Sequence, residues 1–300
     1  MRILTQPFHR AIEHYWTRLM PEHEFLFWTP DEAASDGMPM RERGSNCRVV
    51  KGLPRKVDVV VSHTIEQWGQ FRERYDKVLH WEHHLPYEPR TETFDPDIVV
   101  YLSGEARALW ATGRLRYVIR HPIDTAVFNG WTGDASRALM VATMPMTWWG
   151  KKKGADLLRT MVDSGVPYKL VGKDNEQDWP MCQCEFVTSE ERMLRLYRTV
   201  RVYGCTSPQV ERAALEALAV GCPVVMRRHP FNTLVEEVAP AVRFADSDEE
   251  FRLLVMHWLE REPDLTSPRI EIQRQLIDHY FGPQHIRETW LEALQTCRDL

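Results

Sequence analysis

Glu216 is the residue in this chain whose chemistry is hardest to ignore. It sits among Ala, Leu and Val in SPQVERAALEALAVGCPVVM, residues 207–226. A carboxylate drawn into an apolar helix is costly unless a partner meets it. Two readings are open. One is an ion pair with Arg212, four residues earlier, although base before acid is the weaker order. The other is a ligand contact in the N-terminal half of the helix.

Histidines form the second group. HWEHH (80–84) holds three and VVVSHT (59–64) contains His63. If 77–84 is extended, His80, Glu82 and His84 share one face and His83 the other. Imidazoles so placed serve as packing groups, as contacts to a polar substrate, or, for His80, His83 and His84, as metal ligands. The third group is RERGSNCRVVKGLPRK (41–56), six basic residues against one acidic. It reads as a solvated loop, or as a surface for an anionic acceptor: a phospholipid headgroup, a phosphorylated sugar or DNA. It lacks the interleaved aromatics of a single-strand binder. Trp148 and Trp149 are either core or cleft-lining residues.

The elements that must position these groups follow from local patterns. Ser207 suits an N-cap and Pro208 the first helical position. Gly221 suits a left-handed cap, Pro223 stops the helix, and Val224–Met226 read as a buried strand. Strands are expected at RILT, EFLFW, VDVVVS, KVLHW, IVVYL and RYVIR, with helices at AIEHYWTRL and GEARALWATG and loops through 29–56. The second half repeats the alternation. Strands are ALMVATM, YKLVG, VRVYGC, PVVM and AVRFA. Helices are ADLLRTMVDSG, SEERMLRLYRT capped by Ser189, 209–220, Asp248 to Arg261, and the segment from His285. This is the βαβ pattern of parallel sheets covered by helices. HPIDTAVFNG (121–130) separates two units. We expect an α/β chain of two doubly wound, Rossmann-like domains facing across a cleft, with ligands at the carboxyl ends of strands.

Composition narrows the function. The 300 residues suit two domains, and a net charge of -5 gives no global case for a nucleic-acid or membrane partner. Residues 1–121 are balanced, so the whole acidic excess lies after them. Six scattered cysteines form no disulfide framework, and Cys182 and Cys184 lack zinc-knuckle spacing. No signal peptide or membrane span is expected, and reduced thiols point to the cytoplasm.

Several blocks, in order, resemble the GT-B retaining glycosyltransferases of family four (glycosyl transferases group 1). They are HPIDTAVF, Lys153-Gly154, YKLVGKDNE, EFVTSEERMLRLYRTVRVYGCTS, LEALAVGCPVV and NTLVEEV. The likeness covers 116–300 well and the first half weakly. It implies an N-terminal acceptor-side domain (1–122), a C-terminal nucleotide-sugar-binding domain (123–282), and a last helix (283–300) packing back toward the first domain. It implies a metal-independent hexosyl- or pentosyltransferase with no cofactor, using a nucleotide-sugar as co-substrate, a UDP-sugar first.

By the same resemblance Glu216 holds the ribose hydroxyls, a task suited to a group that only accepts. Lys153, with Lys152 beside it, neutralises the donor diphosphate. Asn232, Thr233 and Glu236 approach diphosphate and sugar, and Gly172 lies under the base. The catalytic histidine contacting the sugar is His83, with His63 second. Arg10, Arg41, Arg43, Arg48 and Lys51 form the acceptor side, and no metal ligand is implied. Departures stand at Pro208, where the family keeps a second glutamate, at Thr143 for an arginine, at Asn232-Thr233 for Gly-Gly, and at QPFHR for a glycine loop. Rival readings are a phage-type DNA glycosyltransferase acting on hydroxymethylated bases, a nucleotide-sugar epimerase, and a non-catalytic donor-binding protein.

Overall fold

The computed structural model describes residues 1–7, 10–29, 45–82, 94–102, 107, 113–141, 154–172, 182–185, 189–206, 212–228 and 242–300. For 10–14, 155 and 182–185 the description is of the backbone. The chain divides into two compact units, Met1–Pro122 with Pro283–Leu300, and Ile123–Gly282.

The first unit carries seven parallel strands: β1 (Arg2–Thr5), β2 (Glu24–Trp28), β3 (Cys47–Val50), β4 (Val59–Ser62), β5 (Val78–Glu82), β6 (Ile98–Tyr101) and β7 (Leu115–Val118). Their spatial order is β3-β2-β1-β4-β5-β6-β7. Alternation along each strand builds two cores. Ile3, Phe25, Phe27, Val59, Val61, Leu79 and Trp81 face helix α1 (Arg10–Leu19) and the last helix of the chain, here α8 (Pro283–Asp299). Leu4, Leu26, Val60 and Val78 face α2 (Ile65–Arg72) through Phe71. Trp290 of α8 closes a tryptophan cluster, its ring centroid 4.5 Å from Trp81 and 5.2 Å from Trp16.

The second unit has six parallel strands: β8 (Ala135–Val141), β9 (Tyr168–Val171), β10 (Cys182–Glu185), β11 (Val200–Cys205), β12 (Val224–Arg227) and β13 (Val242–Ala245). The order is β10-β9-β8-β11-β12-β13. On one face lie α4 (Glu190–Thr199), α5 (Arg212–Val220) and α7 (Pro268–Phe281), and on the other α3 (Ala155–Asp163) and α6 (Asp248–Glu260). Both sheets therefore step outward from their first strand, return to it, and run the other way, as doubly wound sheets do.

Local signals hold where they are described. Ser189 Oγ accepts from the Arg192 N–H at 3.3 Å, and Gly221 takes φ +100° after α5. One expectation is corrected, and three elements join those expected. The tract 29–56 is not all loop, because Cys47–Val50 pairs with Phe25–Trp28 as an edge strand. Its polar residues are tolerated there because an edge strand keeps one flank in water. The helices α2 and α7 and strand β10 are additions. α2 hides behind a mid-helix Gly69, and α7 buries a polar residue, Gln273, whose side-chain N–H donates to the Leu218 carbonyl at 2.6 Å. The helix expected at GEARALWATG lies almost wholly outside the described residues.

Candidate functional site

In doubly wound sheets the ligand crevice opens where strand order reverses, at the carboxyl ends of the strands. In the second unit that point lies between β8 and β11. Two neighbours shape it. Gly154 caps α3 at φ +81°, a conformation natural only to glycine. A side chain there would also collide with Thr206, since its Cβ would lie 2.5 Å from the Thr206 carbonyl oxygen. The start of α3 is thus pressed onto the chain leaving β11, with no side-chain cap on its first N–H groups. Such groups favour anions.

Glu216 lies in α5, the helix after β11, and is 9% exposed. Both its oxygens are engaged. Arg212 Nε donates to Oε1 at 2.6 Å, and the Tyr197 hydroxyl of α4 donates to Oε2 at 2.9 Å. The ion pair, one of the two readings the spacing left open, is present, and it leaves the carboxylate further lone pairs for a ligand. Burial, and then the negative charge of Glu216, push the Tyr197 hydroxyl well above its ordinary range, so it stays a donor. The Tyr197 ring lies 6.3 Å from that of Tyr203, whose hydroxyl accepts from the Val141 N–H at 3.4 Å. Contacts thus run from the end of β8 to Glu216. Sequence reasoning missed Tyr197, although its place beside Met193, Leu194 and Leu196 on the apolar side of an amphipathic helix was its signal.

The first unit reverses order between β1 and β4. Thr5 ends β1, and its hydroxyl lies 2.7 Å from His63 Nε2, just past β4. His63 is 3% exposed, with ring contacts to Trp16 and Trp81. Burial, helped by nearby His80, lowers its pKa to about 3, so the imidazole is neutral. On the opposite face Ser62 Oγ lies 3.0 Å from His80 Nδ1, and His80 Nε2 lies 3.4 Å from Glu82. His80 and Glu82 share a face as expected of a strand.

Other candidates divide cleanly. Gly172 follows the end of β9. Arg48 sits on edge strand β3, its side chain 60% exposed, 3.4 Å from Glu24. Lys51 is exposed just beyond. His83, Lys152, Lys153, Asn232, Thr233, Glu236, Arg41 and Arg43 lie outside the described residues, as do Thr143, Trp148, Trp149, Ser207 and Pro208, and Arg10 is described in its backbone alone. Among the described residues no three His, Cys, Asp or Glu side chains gather to hold a metal, and no helix is long and apolar enough to cross a membrane.

No protein-family model and no curated protein matches the sequence. Solved structures do share its fold. AviGT4, a glycosyltransferase involved in avilamycin A biosynthesis, is 17% identical with a TM-score of 0.64, over 99% of this chain and 98% of its own. HepE of Anabaena, in complex with UDP-glucose, is 15% identical with a TM-score of 0.73, over 99% and 100%. Sucrose-phosphate synthase of Thermosynechococcus elongatus is 12% identical with a TM-score of 0.70, over 99% and 98%. The chain has the GT-B fold of these glycosyltransferases.

Proposed function

We propose that this protein is a glycosyltransferase that moves a sugar from a nucleotide-sugar, a UDP-sugar first, to a hydroxyl acceptor, with retention and without a metal. The observation that carries it is the buried Glu216 carboxylate, held by Tyr197 and Arg212 on the helix leaving the switch point of the second sheet. A ribose offers two adjacent hydroxyl donors, which a preset acceptor pair fits. HepE, with the same fold, is described in complex with UDP-glucose.

In this reading the second unit binds the donor and the first receives the acceptor. The donor C1–O bond breaks, and the electron pair leaves on the diphosphate. The uncapped N–H groups of α3 and the Lys152–Lys153 pair stabilise that charge. The acceptor oxygen bonds to C1 on the same face and passes its proton to the departing phosphate. Neutral His63, or His83, contacts the sugar. Arg10, Arg41, Arg43, Arg48 and Lys51 meet the acceptor, and Gly172, Asn232, Thr233 and Glu236 line the donor. The site suits a protein of the cytoplasm, where nucleotide-sugars are made.

The test uses UDP-glucose and its 2′-deoxyribose analogue. The native protein prefers the ribose form by about tenfold to a hundredfold, the size of one or two charge-assisted hydrogen bonds. Glu216→Gln abolishes the preference. If Glu216→Gln lowers thermal stability and leaves the preference intact, the glutamate is structural and the assignment fails. The anomeric configuration of the product, read by NMR, decides retention. Turnover of donor without acceptor marks an epimerase, and incorporation into hydroxymethylated DNA but not small acceptors marks a DNA-modifying enzyme.

A further inference from the structure

Two residues where β1 ends, Thr5 and Gln6, have no part in the chemistry above, yet they bear on the state of His63. β1 and β4 run parallel with Thr5 level with Val61, two residues before His63. A period of two along the strand then puts His63 on the face that Thr5 occupies.

His63 is held on three sides. Its backbone N–H donates to Gln67 Oε1 at 2.8 Å. Its ring stands edge-on to Trp16, at 6.5 Å and 89°, and tilted against Trp81, at 5.6 Å and 45°. Its Nε2 lies 2.7 Å from the Thr5 hydroxyl. Thr5 is 0% exposed and His63 3%, so bulk water is shut out of this contact.

A hydroxyl has one hydrogen to give. The Thr5 hydroxyl donates to the Gln6 carbonyl at 3.4 Å. Pro7 confines Gln6 to extended backbone, so that carbonyl keeps a fixed direction. The short contact with His63 is then one that Thr5 accepts, and Nε2 carries the hydrogen. The opposite assignment turns the hydroxyl toward Nε2 and moves the ring hydrogen to Nδ1. It makes one bond where the first makes two, at a buried site where each unmade bond is costly. Burial keeps the imidazole neutral, with its pKa lowered to about 3, so the ring has a single hydrogen to place.

We propose that Thr5 is the positioning residue of His63: its hydroxyl, anchored on the Gln6 carbonyl, fixes the ring's rotation and holds the imidazole as the Nε2–H tautomer. Nδ1 then carries the lone pair, and any group that meets it must donate. The tautomer stands on the two hydrogen bonds alone. The consequence for turnover rests on the proposed function, in which His63 meets the sugar; a sugar hydroxyl that reaches Nδ1 donates to it.

The experiment is 15N NMR of the full chain labelled at histidine, at neutral pH, beside the kinetics of glucosyl transfer from UDP-glucose. The His63 signals are those that His63→Asn removes. In the native protein the hydrogen is expected on Nε2, with Nδ1 bare. Thr5→Val removes the acceptor at nearly constant size. It should shift the ring toward the Nδ1–H tautomer and lower kcat about tenfold to a hundredfold, with the KM for UDP-glucose little changed. Thr5→Ser restores both. Thermal midpoints show whether the variants fold, and the native spectrum decides the tautomer by itself. A native ring with its hydrogen on Nδ1, or a tautomer that Thr5→Val leaves unchanged, would overturn the proposal. So would equal losses of kcat in Thr5→Val and Thr5→Ser, which mark lost packing rather than a lost hydroxyl. If the spectra are as expected and no nucleotide-sugar is turned over, the tautomer stands and the proposed function fails.

Discussion

Glu216 accepts one hydrogen bond at each oxygen, and a carboxylate has sites for about four. The two it makes to protein therefore fix its direction without exhausting it. Removing the Tyr197 hydroxyl tests that positioning. Tyr197→Phe should cost about 1 kcal/mol of stability, raise the KM for donor severalfold, and leave kcat nearly unchanged, by steady-state kinetics. His63 makes a different prediction. Its pKa falls from an ordinary 6.5 to about 3 in the fold. Between those values the unfolded chain binds a proton that the folded chain refuses. The stability from this group is complete above pH 6.5 and drains away as pH falls toward 3. Denaturant titrations should show the first unit losing about 2 kcal/mol from pH 7 to pH 5, a slope that His63→Asn removes.

At the scale of elements, the start of α3 rests on one glycine. Gly154→Ala would have to place a side chain at φ +81° and 2.5 Å from a backbone oxygen. Strain at such a φ alone is of order 1–3 kcal/mol. We expect a loss above ~2 kcal/mol in the second unit's melting transition and a donor affinity reduced about tenfold, read by calorimetry. Ser189 is the contrast. It caps α4, which follows the edge strand β10 rather than β8 or β11, so Ser189→Ala should cost about 1 kcal/mol and leave donor affinity alone.

At the scale of the molecule, the chain returns its last helix to its first unit. Trp290, 1% exposed, packs with Trp16 and Trp81. Arg287 reinforces the return by pairing with Glu22 at 2.8 Å. Two compact units imply two unfolding transitions, which calorimetry should resolve. Trp290→Ala should lower the first unit's transition by about 3–5 kcal/mol, while the second stays in place.

Read by itself, the sequence determined whatever is decided within a turn or two of chain. Val runs marked buried parallel strands, Ser189 and Gly221 punctuated helices, and four-residue spacing put Arg212 within reach of Glu216 as one of two readings. These depend on backbone periodicity and capping, which are local. The blocks shared with GT-B enzymes made the two-sheet fold legible as well. Only the tertiary structure decided what lies across the sheet. It made part of a basic tract into edge strand β3, because the vacant flank of β2 offers hydrogen bonds that water on the other side does not forbid. It brought Tyr197 to Glu216 across 19 residues and Thr5 to His63 across 58. No periodicity encodes such meetings. They follow from strand order, which sets the residues that share a buried face, and burial in turn decides whether a histidine carries charge.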